Sequence, residues 1–254
     1  MTSEDLSDLS RLSMPARRRR RGPATFALVV TALVCLAVAV GAGLAARAAA
    51  TPTPTAAQRA AAEAKAVAIR WRSLAAGRIF PATLSYTSSL LTPETAQRLA
   101  ISPQITCKAS IDASLTALAA KDKCRAGLRA SYLDQLQGIV YTIGVLAFPT
   151  PHLAAAFSAG LPAHGSTPVL QTFALDGTAS ALLKPPQARQ IGSARAAGPY
   201  VVLTVAGYTD GEPTGPGQQA RPAIFAPAAQ LAADIASVLA APAHVDCTKP
   251  QWSC

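Results

Sequence analysis

The sequence predicts an α+β fold: a single transmembrane helix, then an extracytoplasmic domain with an antiparallel sheet, packed helices and two disulfides. Three observations lead to this prediction. The 25 residues between Arg21 and Arg47 carry no charge. Further on, strand-like segments follow one another, which favours antiparallel pairing with helices on one face or at the ends. Four cysteines follow the uncharged stretch, and cysteines of exported domains commonly form disulfides.

The uncharged stretch, residues 22–46, is long enough to cross a membrane. As a helix it would measure about 37 Å at about 1.5 Å per residue, and a bilayer core about 30 Å thick accommodates that length with some tilt. The alternative is a cleaved signal peptide, because small residues precede Thr51. However, the apolar part of a signal peptide usually spans only about 7–15 residues. We therefore expect a retained signal-anchor in the cell membrane.

Positive charge predicts the orientation of this span. More arginines precede the span than closely follow it, and basic residues stay on the cytoplasmic side. Residues 1–21 are thus expected to form a disordered cytoplasmic tail, with the C-terminal domain outside. An arginine run is also typical of nucleic-acid-binding arms, but beside a span it is better explained by orientation and contact with anionic headgroups. The orienting residues are Arg17, Arg18, Arg19, Arg20 and Arg21.

Charge and composition divide the chain into four parts. These are the tail (1–21), the transmembrane helix (22–46), a Pro/Thr linker (47–55) and the extracytoplasmic α+β domain (56–254). The net charge is +10, and seven arginines against three acids place +4 of it in residues 1–47. The remaining positive charge is scattered, which suits anionic wall polymers or headgroups. We predict the lipid bilayer and other membrane or envelope proteins as partners, and no nucleic acid.

The cysteines of the outer domain predict two disulfides. Cys107, Cys124, Cys247 and Cys254 allow three pairings, which sequence alone does not decide between. We favour the two local ones, Cys107–Cys124 and Cys247–Cys254. Zinc is the alternative, but no C-x-x-C pair or suitably spaced histidine accompanies these cysteines. No metal or other cofactor is predicted.

Helical signals dominate the first part of the outer domain. Apolar residues at helical spacing predict a helix over 56–76, closed by Gly77. A short extended segment at 78–86 follows. The sequence Thr92-Pro93-Glu94 has the cap residue, the proline and the acid of a helix start, so a second helix is expected to end before Pro103. Residues 110–120 favour a third.

Strand signals dominate the second part. Residues 127–133 alternate, and 138–148 are apolar on both faces, as in a central strand; the sequence DQLQ between them suits a hairpin. Thr150-Pro151 is predicted to start a helix over 152–159, ended by Gly160. Further strands are expected at 168–175, 188–196 and 200–208, with a turn at Asp176-Gly177. A loop over 211–222 and an amphipathic helix over 227–241 complete the domain.

Known catalytic patterns are missing from the sequence. His152, His164 and His244 belong to no metal motif. Three aspartates, Asp134, Asp176 and Asp210, fall at predicted turns. Aspartate is common there because its side chain hydrogen-bonds nearby backbone groups. There is no G-x-S-x-G elbow and no phosphate-binding loop. We therefore predict no catalytic residues and no enzyme activity.

Two segments carry a family resemblance: CRAGLRASYLDQ…GIVYTIGVLAFP and AAGPYVVLTVAGYTDG. With the basic tail, single span and spacer, they resemble the uncharacterised single-pass exported membrane proteins of actinobacteria. The strand-rich region is also loosely similar to extracytoplasmic sensor domains of bacterial membrane kinases. The resemblance implies location and architecture, but no activity and no site residues.

These observations favour a membrane-anchored extracytoplasmic binding or accessory module that acts through envelope or membrane-protein partners. Two alternatives remain. An envelope hydrolase would need a cleft with convergent polar groups and an acid or base of perturbed pKa. A structural assembly protein would act through its apolar surface.

Overall fold

The computed structural model describes residues 23–50, 53–162, 169–213 and 223–249, together with Trp252 and Cys254. The chain divides into two units between Pro54 and Thr55. The predicted tail with its arginines Arg17–Arg21 lies outside the described residues, so the predicted orientation stays a prediction.

The first unit contains one long apolar helix, α1 (Pro23–Ala50). Within it, Phe26–Ala46 form a 21-residue stretch with a mean hydropathy of 2.6, and none of it is buried. By length and composition this is the one helix among the described residues that could cross a membrane. A membrane anchor and a signal sequence share these properties. The free Cys35 lies within this stretch.

The second unit is an α+β domain. Its helices are α2 (Ala56–Ala68), α3 (Arg70–Ser73), α4 (Ala76–Ile79), α5 (Cys107–Ser110), α6 (Thr116–Lys121), α7 (Pro151–Ala159) and α8 (Pro227–Ala240). Its strands are β1 (Thr83–Thr87), β2 (Pro93–Ile101), β3 (Ala126–Leu133), β4 (Ile139–Ala147), β5 (Ile191–Ala197) and β6 (Tyr200–Tyr208). Short 3₁₀ turns lie at Ala113–Leu115, Ala179–Leu183 and Pro186–Ala188. The predicted α+β class is confirmed.

The six strands form one antiparallel sheet in the order β1-β2-β3-β4-β6-β5. The predicted central strand, β4, lies between β3 and β6 and is buried over nearly its whole length. The predicted hairpin joins β3 to β4: the Asp134 carboxylate accepts the Ile139 N–H at 2.7 Å, and Gln137 takes a positive φ of 57°. Alternation along the strands gives the sheet two distinct faces, each with its own core.

The helix predicted to start at Thr92 is wrong, because residues 93–101 form strand β2. Thr92 has cap chemistry, but its hydroxyl donates to the Glu94 carboxylate and bonds with Ser88 instead of capping a turn. Pro93 occupies the first strand position, where a missing N–H is tolerated. Strands β1 and β3 bond β2 on both sides, so tertiary pairing overrides a local helix signal.

The helix predicted over 56–76 is interrupted. It begins as expected at Thr55, which forms a reciprocal capping box with Gln58. The Tyr200 hydroxyl then donates to the Val67 carbonyl at 2.6 Å and accepts the Trp71 N–H at 3.2 Å. It thus replaces the helical bond between those two residues, which breaks the helix. Consequently Gly77 does not close this helix but lies inside α4.

The first face of the sheet is covered mainly by α8. Leu231, Ile235 and Leu239 are fully buried or nearly so, and they pack on apolar residues of the sheet. Ile79 and Phe80, at the end of α4, join the same core. The amphipathic helix predicted over 227–241 is therefore confirmed as α8.

The side chain of Arg70, in α3, caps the C-terminus of α8. The last carbonyls of a helix lack intrahelical donors. The Arg70 guanidinium donates to the carbonyls of Val238, Leu239 and Ala241, at 2.8 Å for Leu239. Its positive charge also complements the helix dipole. This contact ties the N-terminal helices of the domain to its C-terminal one.

We expect Arg70→Ala to lower the free energy of unfolding by about 1–2 kcal/mol, because several carbonyls lose a charged donor. The neighbouring Arg72 is exposed, so Arg72→Ala should change the free energy of unfolding by less than about 0.5 kcal/mol. Pulse proteolysis of the full chain across a urea series measures both values. Equal losses in the two variants would contradict this role of Arg70.

The second face is covered by α5, α6, α7 and an irregular segment. Helix α7 begins at the cap residue Thr150 and ends at Gly160, as predicted. The helix predicted over 110–120 is divided, since Ile111 pairs in an isolated bridge with Leu170 between α5 and the 3₁₀ turn. Both predicted disulfides are present, Cys107–Cys124 and Cys247–Cys254. The first links α5 to the residues before β3.

Candidate ligand-binding cleft

The strand predicted at 168–175 is wrong, and the segment that takes its place borders a cleft. Residues 169–175, called here the crossing segment, contain no strand and lie over the second face of the sheet. Leu170 rests against Gly144 of β4, where a Cβ would overlap the leucine side chain. The lack of a side chain at Gly144 therefore allows this close approach. Pro168 and the preceding residues from 163 lie outside the described part of the chain.

Side chains satisfy the backbone of the crossing segment. Arg189 donates to the Leu170 carbonyl at 3.2 Å. Arg129 donates to the carbonyls of Gln171 at 3.1 Å and Thr172 at 3.3 Å. These donors replace the neighbouring strand that would otherwise bond the segment. Arg129 thus ties the segment to β3, and Arg189 ties it to the residues before β5.

Two strand hydroxyls continue this pattern along the segment. Ser131 of β3 donates to the Phe173 carbonyl, and the Phe173 N–H donates to Thr142 Oγ1 of β4 at 3.4 Å. Ser131 and Thr142 are fully buried. The polar residues on this face of β3 and β4 therefore do not face solvent, but bond the segment that covers them.

A cleft of about 540 Å³ opens beside the crossing segment. This volume is within the usual range of small-molecule sites, about 300–1,000 Å³. Residues from β3, the crossing segment and the loops before α5 and β5 form its wall. The lining residues are Ser102, Pro103, Gln104, Asp112, Arg129, Gln171, Thr172, Phe173, Ala174, Asp176, Lys184 and Arg189.

Arg129 is a buried cation in this wall without an anionic partner among the described residues. Its side chain is only 4% exposed, and its three hydrogen bonds go to neutral oxygens, the third being Gln104 Oε1 at 3.1 Å. Its Nε has no partner there. The Phe173 ring lies 6.0 Å from its Cζ. Burial lowers the pKa of Arg129, which reflects the cost of a desolvated charge.

Arg189, in the same wall, has the counter-ion that Arg129 lacks. Its Nη1 lies 3.1 Å from Asp112 Oδ1, and this is the only ion pair among the described residues. The internal gaps 163–168 and 214–222 contain no Asp or Glu, so neither gap supplies a carboxylate to Arg129. A buried charge without a counter-ion is costly. The two arginines therefore differ in charge compensation, although the Nε of each lacks a hydrogen-bond partner among the described residues.

The residues considered for catalysis in the sequence lie apart from one another. Asp134 holds the β3–β4 hairpin, and Asp210 Oδ1 accepts the Glu212 N–H at 2.9 Å. His152 and His244 are exposed, and His164 lies outside the described residues. Of this set the cleft contains only Asp176. No group of three or more metal-binding side chains occurs among the described residues.

Sequence reasoning missed Arg129, although one signal pointed to it. Strand β4 is apolar on both faces, which predicts cover on both sides of the sheet centre. Its hairpin partner β3 must share that cover, so the polar side of GLRASYL has to be buried as well. An arginine there needs partners. The carbonyls of the crossing segment provide some of them.

Comparison with known proteins adds no relative. No protein-family model, curated protein or solved structure matches this chain significantly. The resemblance described above therefore stays a prediction. The role of the cleft has to follow from its own residues.

Proposed function

We propose that this protein is a membrane-anchored extracytoplasmic binding module that acts through envelope or membrane-protein partners. In this proposal α1 is retained as a single-pass anchor, the N-terminal tail stays in the cytoplasm and the α+β domain lies outside. The length of the apolar helix and the two disulfides support this location. The arginine run before the helix supports the orientation.

One observation carries the binding role: the cleft is built around Arg129, a buried cation without a described carboxylate partner. A purely structural arginine would be expected to be paired, as Arg189 is with Asp112. In addition, hydrogen bonds from Arg129, Ser131 and Arg189 hold the crossing segment, which forms part of the wall. Recognition sites are usually preformed clefts in which a few precisely placed polar groups orient the ligand.

The location can be tested with protease added to intact cells that express the full chain with an N-terminal epitope. We expect the α+β domain to be degraded, the epitope to be protected, and the intact mass to include α1. A mature protein that begins near Thr51 would show a cleaved signal instead. Protection of the domain would contradict the orientation.

The binding role can be tested by photo-crosslinking in native membranes. A photoreactive residue replaces Ala174, which lines the cleft, or Arg195, which is exposed on β5 outside it. We expect a discrete crosslinked product from position 174 and none from 195. Products from 195 alone would favour the structural assembly role, and no product from either position would contradict the proposal.

A further inference from the structure

We infer that the cleft binds an oxyanion, the carboxylate or phosphate group of a soluble polar compound, and that Arg129 is its recognition residue. This inference rests on the proposed binding function and specifies its ligand class. It follows from the charge balance of the cleft, from the unused donors of Arg129 and from the ion pair that compensates the charge of Arg189 but not that of Arg129.

The charge balance of the cleft wall leaves one positive charge in excess. Arg129, Arg189 and Lys184 are cationic, and Asp112 and Asp176 are anionic. Arg189 and Asp112 compensate each other as an ion pair. Lys184 and Asp176 are both exposed to solvent, so water screens them. The uncompensated charge is thus the buried one, that of Arg129, and one monoanionic group would neutralise it.

Arg129 also has donors to spare. A guanidinium has five N–H groups, and the described hydrogen bonds of Arg129 number three. All three acceptors are neutral oxygens, which form weaker bonds than an anionic oxygen does. The planar fork of a guanidinium matches a carboxylate or phosphate group, often through two parallel bonds. An oxyanion is therefore the ligand chemistry that this site lacks.

The rest of the cleft suits a polar compound more than an apolar one. Gln104, Gln171, Thr172 and Ser102 line it with amide and hydroxyl groups. Phe173 contributes a ring beside the guanidinium. A hydroxylated anion such as a sugar acid would find both its charge and its hydroxyl groups accommodated.

Gln104→Glu is the decisive variant. Gln104 Oε1 already accepts from Arg129 Nη2 at 3.1 Å, so a glutamate in its place would give Arg129 a permanent internal counter-ion. The side chain is exposed and nearly isosteric, so the fold is expected to persist. Gln97→Glu is the matched control, because Gln97 is an exposed glutamine on β2 outside the cleft and its replacement adds the same charge.

The experiment uses the full chain in phosphatidylcholine nanodiscs and isothermal titration at constant ionic strength. Inorganic phosphate, acetate and glucuronate are the probes. We expect saturable binding of at least one of them, weakened about tenfold or more by Gln104→Glu and unchanged by Gln97→Glu. Gln104→Glu should also raise the urea midpoint of unfolding, since it compensates a buried charge.

Three results would overturn the inference. One is a lack of saturable binding of all three probes. Another is that the Gln104→Glu variant binds the probes as tightly as the unsubstituted protein does. The third is loss of probe binding when phosphatidylglycerol replaces part of the phosphatidylcholine, which would identify a lipid headgroup as the occupant. If photo-crosslinking at position 174 succeeds while the oxyanions fail, only the ligand class is wrong; if crosslinking fails as well, the proposed binding function is wrong too.

Discussion

Replacing Cys107 and Cys124 together with serine is expected to lower the free energy of unfolding by about 3 kcal/mol. The disulfide closes a loop with a sequence separation of 17 residues, and removing it returns conformational entropy to the unfolded chain. This loop contains α5, α6 and Ile111, Leu115 and Ala119 of the second core. Its opening therefore weakens a part of the domain that folds together with the sheet.

The Cys247–Cys254 disulfide provides the matched control. Its sequence separation is 7 residues, and none of the described residues from 247 to 254 is buried. Serine at both positions should therefore loosen the C-terminus locally and change global stability by less than about 1 kcal/mol. Pulse proteolysis of the full chain in urea, with and without reductant, measures both pairs. Equal losses would show that the terminal loop unfolds together with the core.

Leu231→Ala is expected to cost about 2–5 kcal/mol. Leu231 is fully buried in α8 against the sheet, so its truncation leaves a cavity where helix and sheet meet. The loss should appear in the urea midpoint and in faster amide hydrogen exchange of β5 and β6, which contact α8.

Val238→Ala tests the same helix at a less buried position. Val238 is 40% exposed, so its truncation should cost less than about 1 kcal/mol. Alanine has a higher helix propensity than leucine or valine, so similar losses for Leu231→Ala and Val238→Ala would contradict the expectation that packing of the buried face of α8 on the sheet dominates its contribution.

Several elements could be predicted from the sequence because their signals are local or periodic. The apolar helix α1 is apparent from composition, and α7 from its cap residue and terminal glycine. Both disulfides join cysteines that are neighbours along the chain. The β3–β4 hairpin combines apolar strands with an aspartate that bonds its own turn. In each case residues that are close to one another in the sequence determine the free energy of forming the element.

The sequence by itself thus determined the α+β class, the apolar N-terminal helix, the central strands and the disulfide-linked cysteines. The tertiary structure alone decided that β2 is a strand, that Tyr200 interrupts the helix predicted over 56–76, and that residues 169–175 cross the sheet without joining it. It also decided that Arg129 is buried in a cleft. The physical reason is that a buried backbone N–H or C=O group needs a hydrogen-bond partner, and any suitable group that the fold brings near it can serve as one. Neighbouring strands supplied those partners for β2, and side chains distant in sequence supplied them at Val67 and for residues 169–175.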